Sequence, residues 1–569
     1  MAVPIKDIAG VIKVYGAGSP GGKGAGLIEV SAMHLPRVSP LKTAILATDF
    51  YDRYLTSAGE LPAVDREVVA AILDEMGETP LGVRSSATSE AGRPGVGPSP
   101  VHAGENATFM LPNNHPDREV RVHQAVQAIR HIFADFLGRQ GNAASRQGKG
   151  PRGKRNVAAE KMAIVINPIP GIFDDTLAGP VYYPYISGVA TSFFPYALKT
   201  QNPEEGFARI AFGHGYATVL DDFPVICMAT IRNPLPLQLL RIGKGQQFFY
   251  ALDMTRNREL RGLELETMRR LHVRFANFHK IRLLGIQNNL ITIEELVQNN
   301  HFDFKTGLVE IMQRIGERLA SHFQIEFVFN LDFSKKDRRD GAFHIVQLTR
   351  LPELRFDAVP IPEKSRHTYL AINNAQGHGV VRGIKFALVV SPFVYAKDKQ
   401  AAVRKRIAEL NREMKERREK YIILVPGRLG SKNPDWGIFV EYPDVDQAAA
   451  IFEYGVDIAG RPEPLPEEEN LTGGVYGSHF LYMIQGGFDE DQKRFQTRMY
   501  GTQGTHFLTN LMSNNVIYGF VMPMRDVIDP WLWTCSEPGA VPSLLSFPRP
   551  VTVYADFGSQ RCGVIIENG

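Results

Sequence analysis

The chain has 569 residues, of which 44% are hydrophobic and 22% charged, with a formal net charge of +3. That length allows about two to four domains, and a composition this close to the globular average excludes disordered and collagen-like classes. A charge near zero leaves no footprint for nucleic acid, no apolar run approaches a membrane span, and "MAVPIKDIAG" lacks the apolar core of a signal peptide. Cys227, Cys535 and Cys562 are too scattered for a metal site and fit a reducing compartment, so a cytoplasmic protein with neither a nucleic-acid nor a membrane partner is expected.

The first pattern along the chain is "VYGAGSPGGKGAGLIEVSAM", from Val14 to Met33. A glycine-rich turn can aim backbone N–H groups at an anion, and a helix starting there adds its positive end. Lys23 at the mouth supplies a mobile point charge. The P-loop spacing is absent, because Gly24 rather than Ser or Thr follows Lys23. On these residues alone a phosphate site and an ordinary loop before a helix are equal readings. The helix is expected from Gly26 to Met33.

"TAILATDFYDRYLTSAG" reads as a short strand and a helix, and "LGVRSSAT" as a strand entering a polar turn. Apolar residues at helical spacing predict a long amphipathic helix from Arg118 to Gln140. "GRQGNAASRQGKGPRGKRNV" then breaks the periodicity and reads as a basic surface loop. Strands are expected at "MAIVINPI", "GPVYYPYISGVATSFF" and "ARIAFGHGYATVL", and helices around Leu260 to Leu271 and Lys305 to Ser321. "FQIEFVFNLDF" and "FHIVQLTR" read as two buried strands joined by the charged turn "SKKDRRDG". A Pro-rich, charged stretch places a domain boundary near Arg355 to Arg366. Beyond it come a charged helix over Ala396 to Lys420, the strand "YIILV" and a further helix in "DVDQAAAIFEYG".

Taken together, "SPGGKGAGL", "VRSSATSE", "SGVA", "IEFVFN" and "VQLTRLP" occur in an order that resembles the ATP-grasp nucleotide-binding domain of phosphoenolpyruvate synthase and pyruvate phosphate dikinase. The matching segments are Gly21 to Leu27, Val83 to Ser86, Ser187 to Ala190, Ile325 to Phe327 and the Gln347 region, and the resemblance covers residues 5 to 355. It implies an α/β (α+β) fold, with residues 1–355 as the ATP-grasp domain and ATP and Mg2+ as cofactors. Lys23 and Arg84 would act on the phosphates, Arg84 holding two oxygens at once. Gly21, Gly22, Gly24, Ser85, Ser86 and Thr88 would supply further donors, and Glu326 and Gln347 would hold the magnesium. Without the resemblance, the residues alone favour Arg84 as a strand-end ion-pair partner and Glu326 as a solvated strand residue. The family pattern Q-x-R-P puts Gln and Arg on one strand face, whereas Gln347 and Arg350, three apart, fall on opposite faces unless a bulge intervenes. The family's arginine after "SGVAFT" is also missing, since Ser192 and Phe193 stand there. The Gly/Pro-rich loop from Ser89 to Gly104 reads either as a lid over the phosphates or as a flexible surface loop.

The family carries its phosphoryl group on a histidine of a swivelling domain. "GTQGTHFLTNLMSNNVIYGF", with His506, a helix-like run and an apolar strand, resembles a divergent form of that domain, implying a smaller α/β domain over residues 356–569. Bulky Phe507 replaces a small residue of the family pattern. Arg428 in "PGRLGS" reads equally as a phosphate ligand beside His506 or as a structural arginine. His479 in "GSHF" is a second candidate, and His378 reads as a turn residue. Residues 356–569 are too few for both this domain and the family's acceptor barrel of about 250 residues.

The resemblance thus implies an ATP-dependent phosphotransferase of the dikinase type, with a phosphohistidine on His506 and an unknown acceptor, a separate acceptor subunit being one option; homo-oligomerisation is left open. Two alternatives stand beside it. One is an ATP-binding regulatory or scaffolding protein without turnover, and the other is an ATP-grasp carboxylate ligase that releases ADP and does not need His506.

Overall fold

In the computed structural model, the described residues are 3–89, 107–146, 160–175, 179–194, 203–219, 226–228, 246, 248–255, 268–272, 286–287, 290–291, 300–331, 341–351, 357–363, 368–372, 375–390, 399–432, 437–455, 505–514, 516–523 and 542–567. They form a mixed α/β structure built on several sheets. Among them no helix is long and apolar enough to cross a membrane.

The first sheet uses β1 (Ile5–Ile8), β2 (Ile12–Tyr15), β3 (Thr43–Leu46), β4 (Leu81–Ala87), β5 (Thr108–Leu111) and β6 (Met162–Pro168), in the order β1-β2-β3-β6-β4-β5. Only β2 and β3 run parallel. Between them lies α1 (Gly21–Ser31), while α2 (Thr48–Thr56), α3 (Ala63–Met76) and α4 (Arg118–Arg146) complete the unit. Val122, Ala125, Val126, Ile129, Ile132, Phe133 and Phe136 form a buried stripe on α4, as their spacing predicts. The helix runs six residues past the expected end at Gln140, so the start of the basic stretch is helical; residues 147–159 lie outside the described set.

α1 begins five residues earlier than expected, inside the glycine run. The reason is steric. Gly21 has φ +68°, and a Cβ there would stand 2.0 Å from the Ser86 carbonyl oxygen. A Cβ on Gly26 would meet the Leu348 carbonyl oxygen at 2.3 Å. Glycine lets this helix lie close against two strands at once, so helix propensity yields to packing.

The next strands are β7 (Ile172–Asp174), β8 (Val181–Tyr183), β9 (Ile186–Thr191) and β10 (Phe207–Phe212), the single turn α5 (Tyr216–Val219), then β11 (Ile226–Met228), β12 (Phe248–Asp253) and β13 (Met268–His272). A small hairpin, β14 (Ile286–Gln287) and β15 (Leu290–Ile291), precedes α6 (Phe304–Leu319), β16 (Phe323–Leu331) and β17 (Gly341–Arg350). An antiparallel sheet has the order β11-β10-β9-β16-β17, and a second has β13-β12-β8-β7. Phe304, Leu308, Ile311, Ile315 and Leu319 form the buried stripe of α6 and share a core with Phe327 and Phe343. Full burial of each such side chain is worth about 1.5–3 kcal/mol.

One expectation here is corrected. The segment expected to be helical around Leu260 to Leu271 ends in β13, which pairs with β12 from Phe248↔His272 to Leu252↔Met268. Pairing with a buried neighbour overrides a weak helical pattern. Residues 256–267 lie outside the described set.

The remainder contributes β18 (Thr368–Ile372), β19 (Ala375–Gln376), β20 (Gly379–Val389), α7 (Gln400–Arg417), β21 (Tyr421–Pro426), the pair β22 (Arg428–Leu429) and β23 (Gly437–Ile438), β24 (Ala448–Gly455), α8 (Thr505–Ser513), β25 (Ile517–Pro523), β26 (Ser543–Asp556) and β27 (Arg561–Ile566). Eight of these strands form one mixed sheet in the order β18-β27-β26-β20-β21-β24-β25-β19. The helix expected in "DVDQAAAIFEYG" is instead β24, parallel to β21 and β25. A short apolar run fits either state by periodicity, and a parallel strand covered on both faces loses the alternation that marks a half-exposed one. The core of this sheet also takes in Phe194, Phe207, Ala211 and Leu351, so it is continuous with residues before the expected boundary.

Candidate functional site

A cleft of about 400 Å³ opens between the first sheet and the β9-β16-β17 face of the second. Gly82 and Arg84 of β4 and Thr108 and Met110 of β5 line one wall; Ser187, Gly188 and Val189 of β9 and Gln324, Glu326 and Val328 of β16 line the other. Gln347 and Thr349 of β17, Gly22 and Lys23 of α1, and His214, Gly215 and Tyr216 after β10 complete it, with Thr509 of α8 at one edge. The volume lies in the range of small-molecule sites, about 300–1,000 Å³.

The sequence-predicted residues divide into two groups. Lys23, Arg84, Glu326, Gln347 and Gly22 all line the cleft, although they come from four separate segments. Arg84 spans it: one guanidinium nitrogen donates to the Val346 carbonyl at 3.0 Å and lies 3.7 Å from a Glu326 carboxylate oxygen. Glu326 and Gln347 are direct cross-strand partners. The Gln347 amide nitrogen donates to Thr349 Oγ1 at 3.1 Å, which leaves its carbonyl oxygen as the atom available to a cation.

Gly21, Gly24, Ser85 and Ser86 do not line the cleft. Ser86 Oγ accepts from the Gly24 N–H at 3.1 Å and donates to the Pro20 carbonyl at 2.9 Å, locking the start of α1 onto β4. Ser85 is fully buried, and its hydroxyl has no hydrogen-bond partner among the described residues. Thr88 Oγ1 accepts from the Lys161 N–H at 3.1 Å. The Ser86 and Thr88 hydroxyls are spent on holding the loop, and that of Ser85 is buried away from the cleft.

The strand spacing resolves on the side of opposite faces. β16 and β17 do contain a register shift, but it falls at Val346, before Gln347; from Gln347 to Arg350 the pairing is regular. Arg350 turns away to Glu29, the Leu319 carbonyl and Ser321 Oγ. Thr349 therefore occupies the cleft face two residues after Gln347. Phe193 is buried and packs on the His322 ring at 4.6 Å, while Ser192 Oγ caps the Phe323 N–H at 2.9 Å.

His506 lies in the first turn of α8, one turn ahead of Thr509. Thr509 and Gln324 are joined by a buried hydrogen bond at 2.9 Å, which fixes α8 against β16 at the cleft edge. Phe507 fits because Gly430 faces it: a Cβ on Gly430 would stand 2.8 Å from the Phe507 ring. Arg428 is a structural arginine, bonded to Glu453 at 2.8 Å and to the Tyr518 hydroxyl at 2.7 Å. Burial pushes the Glu453 carboxyl up, and Arg428 pulls it back. His378 is held on both ring nitrogens, by the Asp357 carbonyl at 2.9 Å and the Phe557 N–H at 3.1 Å. His479 and the loop from 90 to 106 lie outside the described residues.

His214 was not singled out from the sequence, although "FGHGY" flanks a histidine with glycines directly after a strand. Its backbone N–H donates to the Tyr250 carbonyl at 2.8 Å, and Ser187 Oγ donates to the preceding Gly213 carbonyl at 2.8 Å. Burial, and then the charge of Arg84, lower its pKa to about 3, so the ring is neutral at physiological pH.

Among the described residues no group of three or more His, Cys, Asp or Glu could hold a metal alone. Glu326 and Gln347 offer two adjacent hard oxygen donors, which suits magnesium carried mainly by phosphates and water. No protein-family model matches the chain, and no curated protein matches it.

Proposed function

We propose that this chain is an ATP-dependent phosphotransferase of the dikinase type, with an ATP-grasp cleft over residues 1–355 and His506 as phosphoryl carrier. The observation that carries the reading is the convergence of Lys23, Arg84, Glu326 and Gln347, far apart in sequence, on one cleft between two sheets. Phosphoryl transfer passes through a loose transition state and asks the protein mainly for positioned charge. Lys23 and Arg84 bind and orient the polyphosphate, and the walls exclude bulk water. Glu326 and Gln347 would hold Mg2+, which supplies charge neutralisation on the phosphate oxygens.

In the proposed transfer, the lone-pair nitrogen of neutral His506 attacks the β-phosphorus, the bond from that phosphorus to the α-phosphate oxygen breaks and AMP leaves with the electron pair. The other ring N–H gives its proton to water, and hydrolysis of the terminal phosphate leaves one phosphoryl group on the histidine. The docking of α8 through Thr509 supports this assignment, because it holds the His506 turn beside the cleft. The acceptor is left open, a separate subunit included.

A second reading, an ATP-binding regulatory protein without turnover, is favoured by one observation: the arginine after Gln347 turns out of the cleft to Glu29. Incubation with Mg2+ and ATP labelled separately at the β and γ phosphates separates the two. Acid-labile label on the protein, lost in His506→Ala, together with AMP formation, is the expected result. ATP bound without label or turnover favours the regulatory protein, and ADP formation insensitive to His506→Ala points to a ligase.

A further inference from the structure

The ring of His214 borders the cleft beside Arg84, and its two nitrogens differ. Nδ1 is sealed from solvent with no hydrogen-bond partner among the described residues, whereas Nε2 is not sealed. A buried N–H without an acceptor costs about 1–3 kcal/mol, while a buried lone pair is tolerated more readily. The neutral ring therefore carries its proton on Nε2. Its backbone is fixed by Tyr250 and by the Ser187 bond to Gly213, and its ring lies 5.1 Å from that of Tyr216. The backbone that carries the donor is thus held in place before any ligand arrives.

We propose that His214 is a specificity-determining residue of the nucleotide site, donating from Nε2–H to a phosphate oxygen of the polyphosphate that Arg84 also holds. The proposal rests on the ATP reading of this cleft. A neutral donor adds a directed bond without a further positive charge, so it favours ligands that place a phosphate oxygen at that point over those that lack one. The same tautomer argues against His214 as a phosphoryl acceptor. A nucleophilic Nε2 needs its lone pair, which would force the proton onto Nδ1, where the described residues offer no acceptor.

The test uses the full chain and two amide variants. His214→Gln places an N–H near the position of Nε2, and His214→Asn places one near that of Nδ1. Binding of Mg-ATP and of adenosine is measured by calorimetry. We expect His214→Asn to weaken Mg-ATP by about 10-fold, or about 1.4 kcal/mol, with adenosine unchanged. His214→Gln should stay within about 3-fold of the parent chain. Equal Mg-ATP affinity in both variants, an equal loss for adenosine, or phosphate found on His214 after incubation with ATP overturns the proposal while leaving the ATP site standing. A parent chain that binds no Mg-ATP overturns the site and the proposal together. Melting midpoints of the two variants are compared with the parent chain's, and a loss of affinity that tracks a lowered midpoint in both counts against the proposal.

Discussion

The cleft and the Arg428 cluster both set an arginine near a glutamate, but they treat the pair in opposite ways. In the cleft, Arg84 lies 3.7 Å from Glu326, and both side chains keep some exposed surface. In the C-terminal sheet, Arg428 meets Glu453 at 2.8 Å with almost no exposure, and Tyr518 and the Leu429 N–H complete the shell. The first pair is loosely engaged and open to a ligand. The second is closed on itself and holds β22 against β24 and β25. The sequence shows no difference between them, since each arginine follows a glycine-containing or apolar strand segment. Whether a charge is available for chemistry is decided by its enclosure, and Arg428, a phosphate candidate by sequence, is already committed.

The largest effect is expected where that enclosure is broken. Arg428→Met leaves the Glu453 carboxylate buried without its cation, a loss of about 3–5 kcal/mol in unfolding free energy by urea titration at neutral pH. The deficit should shrink as pH falls, because burial already pushes the Glu453 carboxyl up and protonation removes the stranded charge. Under the proposed ATP reading, nucleotide affinity per folded molecule should not change. A stable Arg428→Met chain would break the comparison, since it would put Arg428 in the same class as Arg84.

The next effect tests the seam between the two regions. Gln324 and Thr509 form a buried bond across it. Thr509→Val should cost about 1–3 kcal/mol, because it strands the Gln324 amide. Adding Gln324→Leu should recover part of that, with a coupling energy of about 0.5–3 kcal/mol in a double-mutant cycle by urea unfolding. Strictly additive losses would mean that α8 does not depend on this contact for its place at the cleft.

Much of the architecture was legible from periodicity. The stripes of α4 and α6 and the β16–β17 pair follow from the spacing of their apolar residues, and the prediction of opposite faces for Gln347 and Arg350 follows from strand alternation alone. β13 and β24 were misread for a common reason: each is a short segment whose state is set by a strand distant in sequence. At the site, charged residues were found because their types and order carried a pattern. His214 was missed because its character comes from enclosure beside Arg84, which no local spacing encodes. The glycines around Lys23 carried two meanings at once. Gly22 borders the cleft, whereas Gly21 and Gly26 are small because Ser86 and Leu348 stand against them.

The smallest predicted effect concerns a surface-edge charge that is neither open like Arg84 nor sealed like Arg428. Burial pushes the Asp446 carboxyl up, but hydrogen bonds from Lys415, Asn411 and Gln447 outweigh it and hold it below its ordinary value of 3.8. A lowered carboxyl stabilises the folded chain above that value, and the contribution fades as pH falls through the lowered one. Lys415 is 56% exposed, so solvent screens its share and the ion pair is worth below about 1 kcal/mol. Asp446→Asn should therefore lower the unfolding free energy modestly at pH 7, and the gap to the parent chain should narrow toward acid pH. A gap that stays constant with pH would assign the loss to the Asn411 and Gln447 bonds rather than to charge. A gap as large as that of Arg428→Met would mean that half-buried pairs in this sheet behave as sealed ones do, and the distinction between open and closed charges would have to be drawn elsewhere.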